Sequence, residues 1–562
     1  MTRSVDTVDH NPGGPAALAA VFLHVAFAIE PTSRWPAIAS ALLGLAAAGS
    51  LCQVAKRPID SWRAKLSVYV PFALFWIAQL QGLRHAHPAM ILAMLAMAAY
   101  LAVYPVLFVM FARRLSRVWP AVLSVPVAWM TTELVRNYFA TGISIGMLGH
   151  TAAGVPEISS IATIGGTLAV STAMMMAAVA MTSARRNPVS TLGWLPIVAS
   201  VFLWSVGWTG SGDGGEGDAG DNRPVVALVQ RDETVEYGQS LGRDSAIFEA
   251  YLRQTVRSVG RHDGVVDVVV WPESMLTGGV PWMVATDEMV VPPDAGVSRG
   301  EFVEAIEGQR RFFTDRMDFV QRRIAAVNDG VRPRIVGGCG VIQYGRLPRT
   351  YSGLIVVEPS GNVSQWYGKR HLVMFGEYIP VIGWIWGLRN LIPPGLGVSP
   401  GESSRALAVG GQLWLPTICI ETAVERVAVG AIGQSVAAGD DVDAIVTVTN
   451  DGWFDHSAVV SHHRRAAQMV AAATGHPILS AANGGPTMTV DAAGRLVRSL
   501  AYEDAGAIIG AAPGGAGASW YTRVGDGPAG VVAVVALGVV LRRWVGGKLA
   551  ATRSRRVVGA GV

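Results

Sequence analysis

The chain has 562 residues, 51% of them hydrophobic and 15% charged, with a formal net charge of +4. Average chains carry about 25% charged residues, so this is not an ordinary soluble enzyme. No stripe of Lys and Arg interleaved with aromatics suggests nucleic-acid binding. Three cysteines, Cys52, Cys339 and Cys419, are too few for a disulfide framework and fit no zinc spacing.

A bilayer core of about 30 Å needs roughly 20 apolar helical residues. Such runs fall at 15–32, 36–55, 66–83, 89–112, 118–134, 156–182 and 190–208, and once more at 527–545. Basic residues cluster in every second connection: Lys56, Arg57, Arg63 and Lys65, then Arg113, Arg114 and Arg117, then Arg185 and Arg186. Another basic group, from Arg542 to Arg556, follows the last span. Positive loops stay in the cytoplasm, so the parity predicts both termini inside and segment 210–525 outside. Between spans five and six, Glu133 and Arg136 stand three apart on a predicted helix. They either pair there or meet a lipid headgroup, ahead of a Gly-rich stretch, 142–156, expected at the outer surface.

The expected division is a membrane domain of about seven helices (1–209), a Gly/acidic linker (210–222), an extracytoplasmic catalytic domain (223–523), a last span (524–546) and a basic cytoplasmic tail (547–562). Within the catalytic domain, short β-branched runs bounded by Gly, Pro, Asn or Asp predict strands. They lie at 225–230, 265–271, 334–341, 353–358, 413–420, 444–449, 478–482 and 487–490, with helices at 245–261, 301–328 and 462–474. This alternation predicts an α/β layered domain.

Chemistry-bearing residues fall at or beyond strand ends, where a sheet fixes a side chain and leaves its tip accessible. Glu273 follows a buried valine run, and Cys419 sits near the end of 413–420. A thiol needs a base to become a good nucleophile, and Glu273 is the candidate. Lys369 and the amide after Cys419 are candidates to stabilise the oxyanion. Glu377 would hold Lys369 or assist proton transfer, and Glu421 would orient the turn carrying the thiol. Each has a bland counterpart: a Trp-Pro-Glu turn, a solvated Lys369–His371 run, a small buried cysteine. Cys52 and Cys339 take that last reading. His462 and His463 point different ways on a helix, so no metal or other cofactor is expected. The ordered set of Glu273, Lys369 and Cys419 favours catalysis. An apolar insertion at Trp282 and Met283 is either a lid dipping toward lipid or a packed loop.

At 271–273, 369–380, 419–421, 449–454 and 477–484 the chain resembles the apolipoprotein N-acyltransferases, membrane members of the nitrilase (carbon–nitrogen hydrolase) superfamily. The resemblance implies a multi-span α-helical membrane domain plus an α/β nitrilase-like αββα sandwich. It implies transfer of an acyl chain from a phospholipid, through a cysteine thioester, to the N-terminal amine of a diacylglyceryl-cysteine apolipoprotein. The setting would be a bacterial inner membrane, with the catalytic domain on its periplasmic side. It casts Glu273 as base, Lys369 as oxyanion donor, Cys419 as nucleophile and Glu377 as support. The chain departs from the family at Gly149–Thr151, Arg231–Asp232, Met374, Ile420, Gln468 and Ala473. Alternatives are a membrane-tethered amidase and an inactive membrane scaffold.

Overall fold

In the computed structural model the described residues from 11 to 207 are mainly helical. They form α1 (Gly13–Ala28), α2 (Arg34–Lys56), α3 (Trp62–Leu80), the short α4 (Leu83–Ala86), α5 (Met90–Leu101) and α6 (Val103–Leu115). Then come α7 (Ala121–Tyr138), the one-turn α8 (Pro156–Ser159), α9 (Ala162–Ser183) and α10 (Leu195–Ser205). The structure describes residues 11–86, 90–185, 187–207, 223–235, 241–373, 377, 397–515 and 517–559. The linker 210–222, Arg186 and Met374 lie outside these residues.

The helices are apolar outside as well as inside. Leu18, Leu42, Leu74, Leu92 and Phe202 are exposed while Leu51, Phe72 and Phe108 are buried. A helix apolar all round belongs in lipid or in a large core. Among the described residues, five stretches are long and apolar enough to cross a membrane: Arg34–Lys56, Met90–Leu115, Ala162–Ser183, Pro188–Ser205 and Gly527–Val545. α1, at 16 residues, is a shorter apolar helix. The expected span 89–112 falls on the apolar stretch Met90–Leu115, made of α5 and α6, and the last helix continues through the basic stretch to Gly559. Within the stretch 142–156, residues 147–153 are buried against the rest of the protein. Glu133 and Arg136 do not bond directly to each other. Glu133 accepts the Leu148 N–H (2.9 Å), and the Arg136 guanidinium lies 5.5 Å from the Trp76 ring centroid.

The catalytic region holds two sheets. The first contains β1 (Val225–Gln230), β2 (Val268–Trp271), β3 (Trp282–Ala285), β4 (Arg334–Tyr344), β5 (Pro348–Val357) and β6 (Val363–Gly368). The second contains β7 (Leu407–Val409), β8 (Gln412–Ile418), β9 (Ala444–Asn450), β10 (Ile478–Asn483), β11 (Met488–Val490) and β12 (Leu496–Ser499). β13 (Gly506–Ala511) returns to the first sheet, giving the order β13-β1-β2-β4-β5-β6 with β3 also on β4; the second runs β12 to β7 in reverse. β1, β2 and β4 are parallel, as are β8, β9 and β10.

Period-two alternation explains the layers. Val226, Leu228, Val268 and Val270 meet Trp414, Val446, Val448 and Leu479 between the sheets. Their neighbours Ala227, Val229, Val269 and Trp271 face Phe248 and Tyr251 of α11 (Leu241–Val259) and Phe313 and Met317 of α12 (Arg299–Ala325). On the far side, Leu415, Ile445 and Ile478 pack on α14 (Glu425–Ala438) and α15 (Ala458–Thr474). The short α13 (Ile420–Ala423) precedes α14, while α16 (Trp520–Val524) and α17 (Gly527–Gly559) follow β13. The result is an αββα sandwich.

Trp282 is not a lid tip. It lies in β3, parallel to β4, 5% exposed, edge-on to Phe313 (5.3 Å) with Arg310 4.9 Å from its ring.

Candidate active site

Glu273 owes its place to the end of β2. Pro272 cannot donate to a ladder, so pairing stops and the chain turns, with Ser274 at φ +66°. Gly338 of β4 passes so close that an added Cβ would lie 2.3 Å from Glu273 Cα. Glu273 is buried, and its Oε1 accepts from Ser352 Oγ (3.1 Å) and Lys369 Nζ (3.3 Å). Burial pushes its carboxyl pKa above the usual range, against the pull of Lys369. A carboxylate so placed accepts a proton readily.

Lys369 follows β6. Its backbone is fixed by Lys369 N–H to Ser352 O (2.8 Å) and Gly401 N–H to Lys369 O (2.8 Å). Its buried ammonium also donates to Glu377 Oε1 (2.8 Å), whose Oε2 accepts Val373 N–H (2.8 Å). Burial disfavours the charge, but Glu273, Glu377 and Cys419 outweigh it and raise the lysine pKa well above its ordinary value. Lys369 therefore stays cationic, as the oxyanion role expected of it would require.

Cys419 directly follows β8 and donates its N–H to Val448 O of β9 (2.9 Å). At φ +53° and ψ −117° its backbone is strained for a residue with a Cβ. Such strain persists only where surrounding contacts impose it. Glu421 supplies them: fully buried, it accepts Ile418 N–H (2.9 Å), Arg370 N–H (2.8 Å), His371 N–H (3.0 Å) and the Tyr367 hydroxyl (2.9 Å). One carboxylate thus joins the cysteine turn to the segment that carries Lys369. The thiol is half-buried, and burial raises its pKa although Lys369 lowers it. At rest it is a thiol that needs a base.

The five sequence candidates, Glu273, Lys369, Glu377, Cys419 and Glu421, are thus linked through bonds, adjacency in the two sheets and mutual charge. The sequence reading missed Ser352, Tyr367 and the pair Asp451–His463 (Oδ1 to Nδ1, 2.7 Å). The Thr449–Phe454 motif flagged Asp451, but nothing local linked it to a histidine twelve residues on. Cys339 is buried in β4 and Cys52 in α2, as expected of small apolar residues. His462 and His463 diverge: His462 Nε2 meets Gln79 Oε1 (3.0 Å) while its neighbour meets Asp451.

The departures from the family pattern are also bonded. Gly149 N–H donates to Ser171 Oγ (2.9 Å), and Gln468 Nε2 to Gly494 O (3.2 Å). Arg231 pairs with Glu233 (2.6 Å).

Residues 19–180 match the apolipoprotein N-acyltransferase N-terminal domain, and residues 227–520 match the carbon-nitrogen hydrolase family. Over 510 residues the chain is 39% identical to the apolipoprotein N-acyltransferase of Rhodopirellula baltica, covering 85% of this chain and 89% of that relative. The enzyme of the same name from Rhizobium rhizogenes is 26% identical over 431 residues, 75% of this chain and 73% of its own. A solved amidase from Nesterenkonia sp. aligns at 14% identity with a TM-score of 0.31, covering 52% of this chain and 90% of the amidase.

Proposed function

The chain belongs to the apolipoprotein N-acyltransferases, and from that premise we propose that Cys419 carries the acyl group between a phospholipid donor and a diacylglyceryl-cysteine apolipoprotein. The carrying observation is the contiguous set Glu273–Lys369–Glu377, linked at 3.3 and 2.8 Å, beside a cysteine turn anchored by Glu421. Glu273 takes the proton from Sγ, and the thiolate attacks an ester carbonyl of the phospholipid. Lys369 and the Ile420 amide stabilise the oxyanion. The intermediate collapses, the C–O bond breaks, and Glu273 returns the proton to the departing lysophospholipid. In the second half the acceptor's free amine attacks the thioester. The C–N bond forms, the C–S bond breaks, and Glu273 moves the amine proton to the thiolate. Ping-pong transfer follows from using one cysteine twice.

Lysine suits this role because a carboxylate on either side keeps its charge in a buried site. A membrane-tethered amidase would use water in the second half; family membership favours the amine. The alternating loop charges support an outer, periplasmic face of a bacterial inner membrane for the catalytic domain. Mass spectrometry of a reporter lipoprotein's N-terminus tests the assignment. A gain of one acyl chain is expected with wild type and not with Cys419→Ala. Equal gain with both would remove Cys419 from the route.

A further inference from the structure

The mechanism above leaves a buried acid–base pair unused. β9 lies parallel to β8, and Cys419 N–H is bonded to Val448 O, so the chain beyond Asn450 leaves the sheet beside the nucleophile's turn. There Asp451, 1% exposed, accepts Thr449 Oγ1 (3.1 Å) and lies 2.7 Å from His463 Nδ1. Gly485 crosses so tightly that a Cβ would fall 2.4 Å from Asp451 Oδ2, which confines the carboxylate. A carboxylate on Nδ1 sets the ring's orientation and leaves Nε2 as the working nitrogen. Phe454 holds the ring edge-on at 5.9 Å. Nε2 bonds to no described residue, and the side chain retains 11% exposure.

Lys369 and Glu273 both act on His463 electrostatically, and both also act on Cys419. The imidazole is held just beyond β9, the strand whose Val448 O accepts the Cys419 N–H. His462, the next residue back, turns to Gln79 and Phe27 instead.

We propose that His463, oriented by Asp451, accepts the surplus proton of the acceptor's N-terminal ammonium, so that a free amine reaches the thioester on Cys419. The proposal rests on the thioester route above. An α-amino group has a pKa of about 7.7–8.0, so near neutral pH most of the acceptor arrives as an ammonium with no lone pair. One proton passes from nitrogen to Nε2, giving imidazolium and amine. Attack then proceeds, Glu273 takes the second proton to the departing sulfur, and imidazolium releases its proton to water. Burial works against the imidazolium, but Asp451 outweighs it and raises the His463 pKa above its ordinary value.

Full-length protein in phospholipid micelles, with labelled phospholipid and a diacylglyceryl peptide, separates the two half-reactions by single turnover. His463→Gln should form the thioester within about threefold of wild type, yet transfer to the peptide about 20-fold more slowly at pH 6.5, where only about 5% of the amine is free. The deficit should close by about pH 9, where the amine sheds its own proton. Asp451→Asn should show the same step-selective, pH-dependent defect in weaker form and serves as the second variant if the glutamine chain does not fold. Equal slowing of both halves, a transfer defect independent of pH, or no defect would overturn the proposal. Absence of a thioester in wild type would instead overturn the route on which it rests.

Discussion

Lys369 meets two carboxylates within one buried space and its charge also acts on the Cys419 thiol, which explains why neither glutamate is spare. Lys369→Met would leave Glu273 and Glu377 facing each other without a cation. Loss of one oxyanion donor typically costs about 10²–10³ in rate, and at least that loss is expected in thioester formation, followed with labelled phospholipid. Glu421 is a different kind of residue, because it accepts four donors and contacts no reacting atom. In Glu421→Gln an amide NH₂ must face one or more of those N–H groups. Each buried group left unsatisfied costs about 1–3 kcal/mol. The expected outcome is a lowered Tm together with slower acylation of Cys419; unchanged values of both would contradict the anchoring role.

At the scale of elements, the catalytic domain and the membrane helices are held together by buried polar contacts. α9 breaks at Gly165–Gly166 and restarts at Thr167, whose N–H and hydroxyl meet Glu425 of α14, 258 residues away. Gly166 has φ +65°, and a Cβ there would lie 2.2 Å from Glu425 Oε1. Gly166→Ala should therefore destabilise by more than the ordinary ~1 kcal/mol of a strained alanine, read as a fall in Tm. Burial pushes Glu425 up to about 7, while its bonds from Thr167 pull the other way. An acid with a raised folded pKa binds its proton more tightly when folded. Its stabilising contribution is full below the unfolded value, about 4.3, and is lost as pH rises through about 7. The Tm of wild type should fall relative to Glu425→Gln between pH 5.5 and 8.5; parallel curves would contradict this. Trp282, placed in β3, is a core residue, so Trp282→Ala should cost about 3–5 kcal/mol in thermal melts and leave the KM for the lipid donor unchanged.

Across the whole molecule, α15 joins the two halves. Every residue from Val459 to Thr474 is buried. Arg465 donates to Ser40 Oγ (3.0 Å), His150 O (3.2 Å), Ala26 O (2.8 Å) and Ile29 O, so it binds the end of α1 and the buried turn 148–152. The sequence made the parts legible where the cause was local: the valine run ending at Pro272 and the ordered residues Glu273, Lys369 and Cys419. The apolar runs were legible for the same reason. It did not reveal β3 or β13, which are short and defined by partners far along the chain. Arg465 and Glu425 were equally silent, because a buried polar residue declares its role only once the carbonyls and N–H groups it satisfies are brought beside it. The choice between a lid and a packed segment at Trp282 stayed open for this reason too, since apolar composition near Glu273 does not distinguish a strand packed on α12 from a loop facing lipid.

The most direct measurement maps the acyl group on the enzyme itself. Full-length protein is incubated with labelled phospholipid without acceptor, quenched in acid, digested and sequenced by mass spectrometry. The account predicts one hydroxylamine-labile acyl chain on the peptide containing Cys419, discharged when the diacylglyceryl peptide is added. A chain on another residue, or N-acylated peptide formed at the wild-type rate by Cys419→Ala, would contradict it.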